Sequence, residues 1–156
     1  MANFSLLDFV LMLTPVLLHG GPLHLVFNML WLWELGRHIE QRQSTLVLVA
    51  AIVVLGLVSN TAQYLYGGGN NFGGMSGVVY GLFSYIWMWQ LFYPRAGLHL
   101  QGSLIIFMLL SLVVMTLLEL EMIANQAHLG GFLCGIVYGA ATASVSRIRR
   151  TTHTQA

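Results

Sequence analysis

Apolar residues fill this chain in long unbroken blocks, separated by short polar or glycine-rich breaks. Blocks without alternation predict helices that are apolar on every side, which belong in a bilayer or a large core. Phe4 to Leu18 carries Asp8 and Pro15 and is short for a span, so it reads as an interfacial or re-entrant segment. Gly20-Gly21-Pro22 then opens a first span running to about Trp33, because proline at the first helical position has no N–H to lose. Glu34 to Gln43 reads as a charged loop and Ser44 to Tyr66 as a second span. The run Gly67-Gly68-Gly69-Asn70-Asn71-Phe72-Gly73-Gly74 reads as a loop, since each glycine in a helix interior costs about 1 kcal/mol. Ser76 to Tyr93 is a third span, closed by Pro94, and Ser103 to Leu118 a shorter fourth. An acidic connection, Glu119 to Ala127, leads to a fifth from His128 to Val145. The expected fold is an all-α, polytopic transmembrane helix bundle of about five spans. Its parts are an interfacial segment at 1–21, the membrane domain at 22–146 and a basic tail at 147–156.

Composition agrees, with 57% of the chain hydrophobic and only 7% charged, against about 25% charged in soluble domains. A net charge of +1 leaves no basic stripe for nucleic acid. No Lys or Arg precedes Arg37, so the basic start of a secretory signal is missing. The lone Cys134 has no disulfide partner within the chain.

Charge also orients the spans. Arg37, Arg42, Arg95, Arg147, Arg149 and Arg150 all follow spans one, three or five, which assigns that side, with the C-terminus, to the cytoplasm. A multi-pass protein of the plasma membrane, the inner one if the source is bacterial, is expected. Trp31, Trp33, Trp87 and Trp89 are expected in an aromatic belt at the same side. Five spans with an inner C-terminus leave the N-terminal segment outside, so either the chain inserts with its N-terminus outside or an upstream span is absent from this sequence, and the absent span is the favoured expectation.

Polar side chains within a bilayer are costly and mark function. The candidates, in chain order, are His19, His24, Asn28, Asn60, Gln63, Ser76, Tyr80 and His128. Three of the predicted helices begin at one face of the membrane with His24 and Asn28, Ser76 and Tyr80, and His128 in their first turns. At 1.5 Å rise per residue these side chains share a layer within about 10 Å of the helix ends. His24 and Asn28 are four apart, as are Ser76 and Tyr80, so each pair occupies one helical face. His128 shares its face with Gly131, Gly135 and Gly139, a small-residue stripe that lets helix backbones approach in lipid. Gly77 and Gly81 offer a matching stripe on span three, and a tight crossing there would set His128 against Ser76. A serine needs a base to become a nucleophile, and a neutral imidazole is the usual one. Asp8, Glu34, Glu40, Glu119 and Glu121 lie in loops or near ends, so a Ser/His dyad is implied and not a triad. Asn60 and Gln63 are expected as hydrogen-bond partners between helices.

The stretches His19-x4-His24-x3-Asn28, Gly73-Gly74-Met75-Ser76-Gly77-Val78-Val79-Tyr80 and Ala127-His128-Leu129-Gly130-Gly131 resemble the three signature motifs of rhomboid intramembrane serine proteases of the bacterial GlpG type. The likeness runs from His19 to the fifth span and includes Leu100-Gln101 and Leu104-Ile105-Ile106-Phe107. It implies Ser76 as nucleophile, His128 as general base, and an oxyanion hole of His24, Asn28 and the Ser76 amide. It also implies Tyr80 packed under the histidine and Gly74 lining the substrate strand, with His19 and Gly77 supporting the site. The expected partners are the lipid bilayer and single-pass membrane protein substrates, with no cofactor and no metal. The loop Gly67 to Met75 is expected to lie over the site. Two departures stand out: the family core has six spans, the first missing here, and Val10-Leu11 stands where the family usually carries Trp-Arg.

Three other readings compete. Ser76 alone could be an ordinary helix N-cap. An intramembrane metalloprotease could use His19, His24 and His128, although no His-Glu-x-x-His occurs. A catalytically inactive rhomboid-like protein could bind membrane helices without cutting them, although such relatives typically lose the serine or the histidine, and both stand here.

Overall fold

A computed structural model describes residues 5–67, 72–118 and 124–154. Gly68 to Asn71, in the expected loop over the site, and Glu119 to Ile123, in the acidic connection, lie outside the described residues. Six α-helices follow one another: α1 (Leu6–Leu13), α2 (Pro22–Arg42), α3 (Thr45–Tyr66), α4 (Ser76–Phe92), α5 (Gly102–Leu118) and α6 (Asn125–Thr154). A 3-10 turn follows α1 and another follows α4, and no strand occurs among the described residues.

The charged stretch after Trp33 is not a loop. α2 continues through it to Arg42 and stops at Gln43. Its residues are good helix formers, Leu35 and Ile39 are fully buried four apart on one face, and Glu34 pairs with Arg37 at 2.8 Å. Ser44 then caps α3, its hydroxyl accepting the Val47 N–H at 3.2 Å. The tryptophans of this helix stand just before its charged turns. Trp31 is mid-helix, stacked on Phe107 with ring centroids 5.8 Å apart, and Trp33 is exposed beneath the Arg37 guanidinium. The basic stretch after Val145 is likewise helical as far as Thr154, because nothing between Val145 and Thr154 breaks a helix.

α3 and α6 are each long and apolar enough to cross a membrane. The segments Phe9–Leu17 and Pro22–Arg42, which meet at 106°, make a third if counted as one broken span. α4 and α5 have 17 residues each, about 26 Å of rise, just under the ~30 Å hydrocarbon thickness. α4 tolerates this because protein surrounds it: α3, α6 and α2 pack on it, and twelve of its residues are buried.

Glycines set the crossing of α4 and α6. A Cβ at Gly131 would fall on the Gly77 carbonyl oxygen, one at Gly135 on the Gly81 carbonyl and Ser84 Oγ, and one at Gly139 2.6 Å from the Tyr85 carbonyl. The missing side chains of Gly77 and Gly81 also make room for α3, where Cβ atoms would meet Ser59 at 2.6 Å and Leu55 at 2.6 Å, and the one at Gly77 would in addition stand 2.9 Å from the Ala127 carbonyl of α6. The junction therefore joins three helices and not two. Ser84 fastens it, its hydroxyl lying 2.8 Å from the Phe132 carbonyl across the crossing and 3.1 Å from that of Gly81. Asn60 and Gln63 also join elements: the Asn60 amide donates to the Met12 carbonyl at 2.7 Å, and Gln63 Oε1 accepts the Ala127 N–H at 3.0 Å. The latter satisfies one of the N–H groups that the start of α6 leaves without a helical partner.

Candidate active site

Ser76 is the first residue of α4, and Met75 occupies the cap position with no side-chain cap bond. The first helical bond at this end runs from Val79 N–H to the Met75 carbonyl. The amides of Ser76, Gly77 and Val78 thus have no partner within the helix, and the dipole makes this end positive. The N-cap reading of Ser76 does not hold, because its hydroxyl is engaged elsewhere. Ser76 Oγ lies 2.6 Å from His128 Nε2. His128 sits in the first turn of α6 and is 4% exposed. The tight crossing below brings these two turns together.

The His128 ring packs on Tyr80, one helical turn below Ser76, with centroids 5.0 Å apart. Its other nitrogen, Nδ1, is buried and has no hydrogen-bond partner among the described residues. Among these residues the imidazole is steadied by ring packing, with no third polar group behind it.

His24 comes to the site from the first turn of α2. The Gly20 N–H donates to its Nδ1 at 3.3 Å, so the ring proton of the neutral imidazole is on Nε2. Gly74 makes the approach possible. Its φ of +131° is costly for other residues, and a Cβ there would stand 2.7 Å from His24 Cε1 and 3.8 Å from Ser76 Oγ. The Gly74 N–H is tied to the Pro15 carbonyl at 2.9 Å, so the segment after α1 supports the strand of chain before Ser76. Asn28, 4% exposed, donates one amide hydrogen to the His24 carbonyl at 2.9 Å and keeps a second.

A cavity of about 450 Å³ gathers His24, Asn28, Ser76, Tyr80 and His128, with Phe27, Trp31, Phe107 and Met108 among its apolar walls. His19 lies behind it, its ring edge against His24 with centroids 5.2 Å apart and its Nδ1 on the Leu17 carbonyl at 3.1 Å. Gly77, Gly81, Gly131, Gly135 and Gly139 are packing positions beneath the cavity. Among the described residues no three His, Cys, Asp or Glu side chains gather as metal ligands, so the set His19, His24 and His128 has no counterpart there. Sequence reasoning missed Ser84 and Ser111. Ser84 continues the small-residue face of Gly77 and Gly81 by one turn, a spacing that pointed to it. Ser111 is a hydroxyl in the middle of an apolar run.

The fold and the site define an integral membrane protein, an all-helical bundle with a hydroxyl and an imidazole paired in a cavity between helices. The profile of the Rhomboid domain matches residues 7–145. The chain belongs to the rhomboid family, a family of intramembrane proteases. It is 38% identical over 124 residues to the rhomboid protease GlpG of Salmonella paratyphi A (strain ATCC 9150 / SARB42), covering 79% of this chain and 45% of that protein. It is 39% identical, with the same coverage, to the rhomboid protease GlpG of Salmonella choleraesuis (strain SC-B67). The chain thus spans a little under half the length of the curated relatives it matches.

Proposed function

We propose that this chain is an intramembrane serine endopeptidase that cleaves transmembrane segments of single-pass membrane proteins through a Ser76/His128 dyad. The observation that carries the reading is the 2.6 Å contact between Ser76 Oγ and His128 Nε2 in the wall of a cavity between the helices. His128 Nε2 takes the hydroxyl proton as Ser76 Oγ attacks the scissile carbonyl, then returns it to the leaving amine. Water, activated by the same imidazole, hydrolyses the acyl-serine.

The carbonyl oxygen gains charge during attack, and donors aimed at it matter most when water is excluded. The free amides at the start of α4, the Nε2–H of His24 and the remaining N–H of Asn28 supply them. The dyad needs no metal or other cofactor.

Orientation follows from the basic ends. The Arg42 guanidinium lies over Gly97, two residues after Arg95, and Arg150 donates to the Tyr93 hydroxyl at 3.2 Å. The arginines at the C-terminal ends of α2 and α6 and just after α4 therefore share one end of the bundle, opposite the cavity. This supports a cytoplasmic C-terminus, with the site opening toward the other side.

The test is cleavage of a single-pass reporter, with fluorophosphonate labelling in parallel. Ser76→Ala and His128→Ala should each lose activity by on the order of 10⁵-fold, and Ser76→Ala should lose the label. Unchanged cleavage by Ser76→Ala would overturn the reading. Stable capture of the reporter by an uncut wild type would point to a binding protein.

A further inference from the structure

We infer that Ser111 on α5 is a positioning residue for His128, acting through Tyr80; this rests on the dyad proposed above. The Tyr80 hydroxyl lies 2.8 Å from Ser111 Oγ. Ser111 Oγ also lies 2.9 Å from the Met108 carbonyl, which can only accept. The single proton of Ser111 therefore goes to Met108, and the phenol donates to Ser111. The other neighbour of the Tyr80 hydroxyl is the Met115 sulfur at 3.8 Å, a weak acceptor. Ser111 is thus the strong acceptor for a phenol that is 5% exposed in an apolar setting, where an unpaired hydroxyl is costly.

The consequence reaches the dyad through the rings. The Tyr80 ring is fixed at one end by α4 and at the other by Ser111, and its flank lies against His128. Among the described residues Nδ1 of His128 has no hydrogen-bond partner, and the imidazole is held by its bond to Ser76 and by this ring. In enzymes with a triad an acid performs the orienting task from behind. Here a ring does, and a serine on a third helix keeps that ring in place. Without Ser111 the phenol must turn toward another acceptor, and the imidazole loses its stop. Small losses of alignment are expensive in catalysis.

Three variants in detergent micelles test this: Ser111→Ala, Ser111→Thr and Tyr80→Phe, with the Ser111→Ala/Tyr80→Phe double. The readouts are the rate of fluorophosphonate labelling and the NMR signal of ¹⁵N-labelled His128. Ser111→Ala and Tyr80→Phe should each slow labelling about tenfold, since a displaced catalytic group can cost up to about 10²-fold. The double should be no slower than either single, because both remove one interaction. Ser111→Thr, which keeps the hydroxyl, should recover the rate within about twofold. The His128 signal should be single and sharp in wild type and Ser111→Thr, and broadened or doubled in Ser111→Ala. A wild-type rate and an unchanged His128 signal in Ser111→Ala would overturn the inference, as would additive losses in the double. The NMR readout keeps this separate from the protease reading. A wild type that neither labels nor cleaves would sink the enzyme, while a His128 signal still dependent on Ser111 would uphold the positioning role.

Discussion

α4 and α5 have the same length and α5 is the more apolar, yet twelve residues of α4 are buried against two of α5. Gly77, Gly81 and Ser84 let α4 meet α3 and α6 at backbone distance. After Gly102, α5 has no glycine and presents Ile106, Phe107, Leu110, Val113, Val114 and Leu117 outward. In water that face would drive association; in lipid it has no such drive, because acyl chains are as apolar as leucine. Apolar content therefore says that both helices belong in the membrane but not which is fixed. Small residues and hydroxyls decide that. The Ser76–His128 pair stands on the fixed part, and α5 supplies a wall of the cavity.

The contrast can be broken hardest at Gly135. Gly135→Val would drive side-chain carbons into the Gly81 carbonyl and Ser84. Overpacking usually costs 1–3 kcal/mol, and against backbone we expect ~3 kcal/mol or more. Thermal unfolding in micelles should show a large fall in midpoint or no folded protein. A midpoint within experimental scatter of wild type would mean that the helices do not cross this closely.

Gly74→Ala should act on chemistry more than on stability. The methyl meets the His24 ring and forces a positive φ on a residue that disfavours it. Reporter cleavage should drop about 10²-fold, the scale of losing one well-placed oxyanion donor, while the unfolding midpoint changes little. A cleavage rate equal to wild type would remove His24 from the site.

The smallest effect belongs to α5. Ile106 is 60% exposed, so Ile106→Ala should shift stability by no more than about 0.5 kcal/mol and leave labelling unchanged. A large destabilisation would show that α5 is held by contacts beyond those described.

The sequence was most legible where residues are small or polar against an apolar background. The second span was bounded within one residue, and the stripe Gly131, Gly135 and Gly139 announced a close crossing. It could not say that Gly77 and Gly81 open toward α3, since a glycine has no side chain to give its direction. It misread Glu34 to Arg42, because falling hydropathy marks the exit from lipid and not the end of a helix. Leu35 and Ile39, four apart among the charges, carried the correct signal. The fifth span was likewise bounded at Val145, while α6 runs on to Thr154. Nothing in the sequence around Trp31 showed that it also lines the cavity. The pairing of Tyr80 with Ser111 joins residues 31 apart and has no local signature.

α6 carries a final consequence. Thirty residues of helix rise about 45 Å, against a hydrocarbon layer about 30 Å thick. Standing upright, α6 would carry about ten residues' worth of helix clear of the lipid tails. With Arg150 tied to Tyr93 within that projection, it behaves as a stiff post and not a tether.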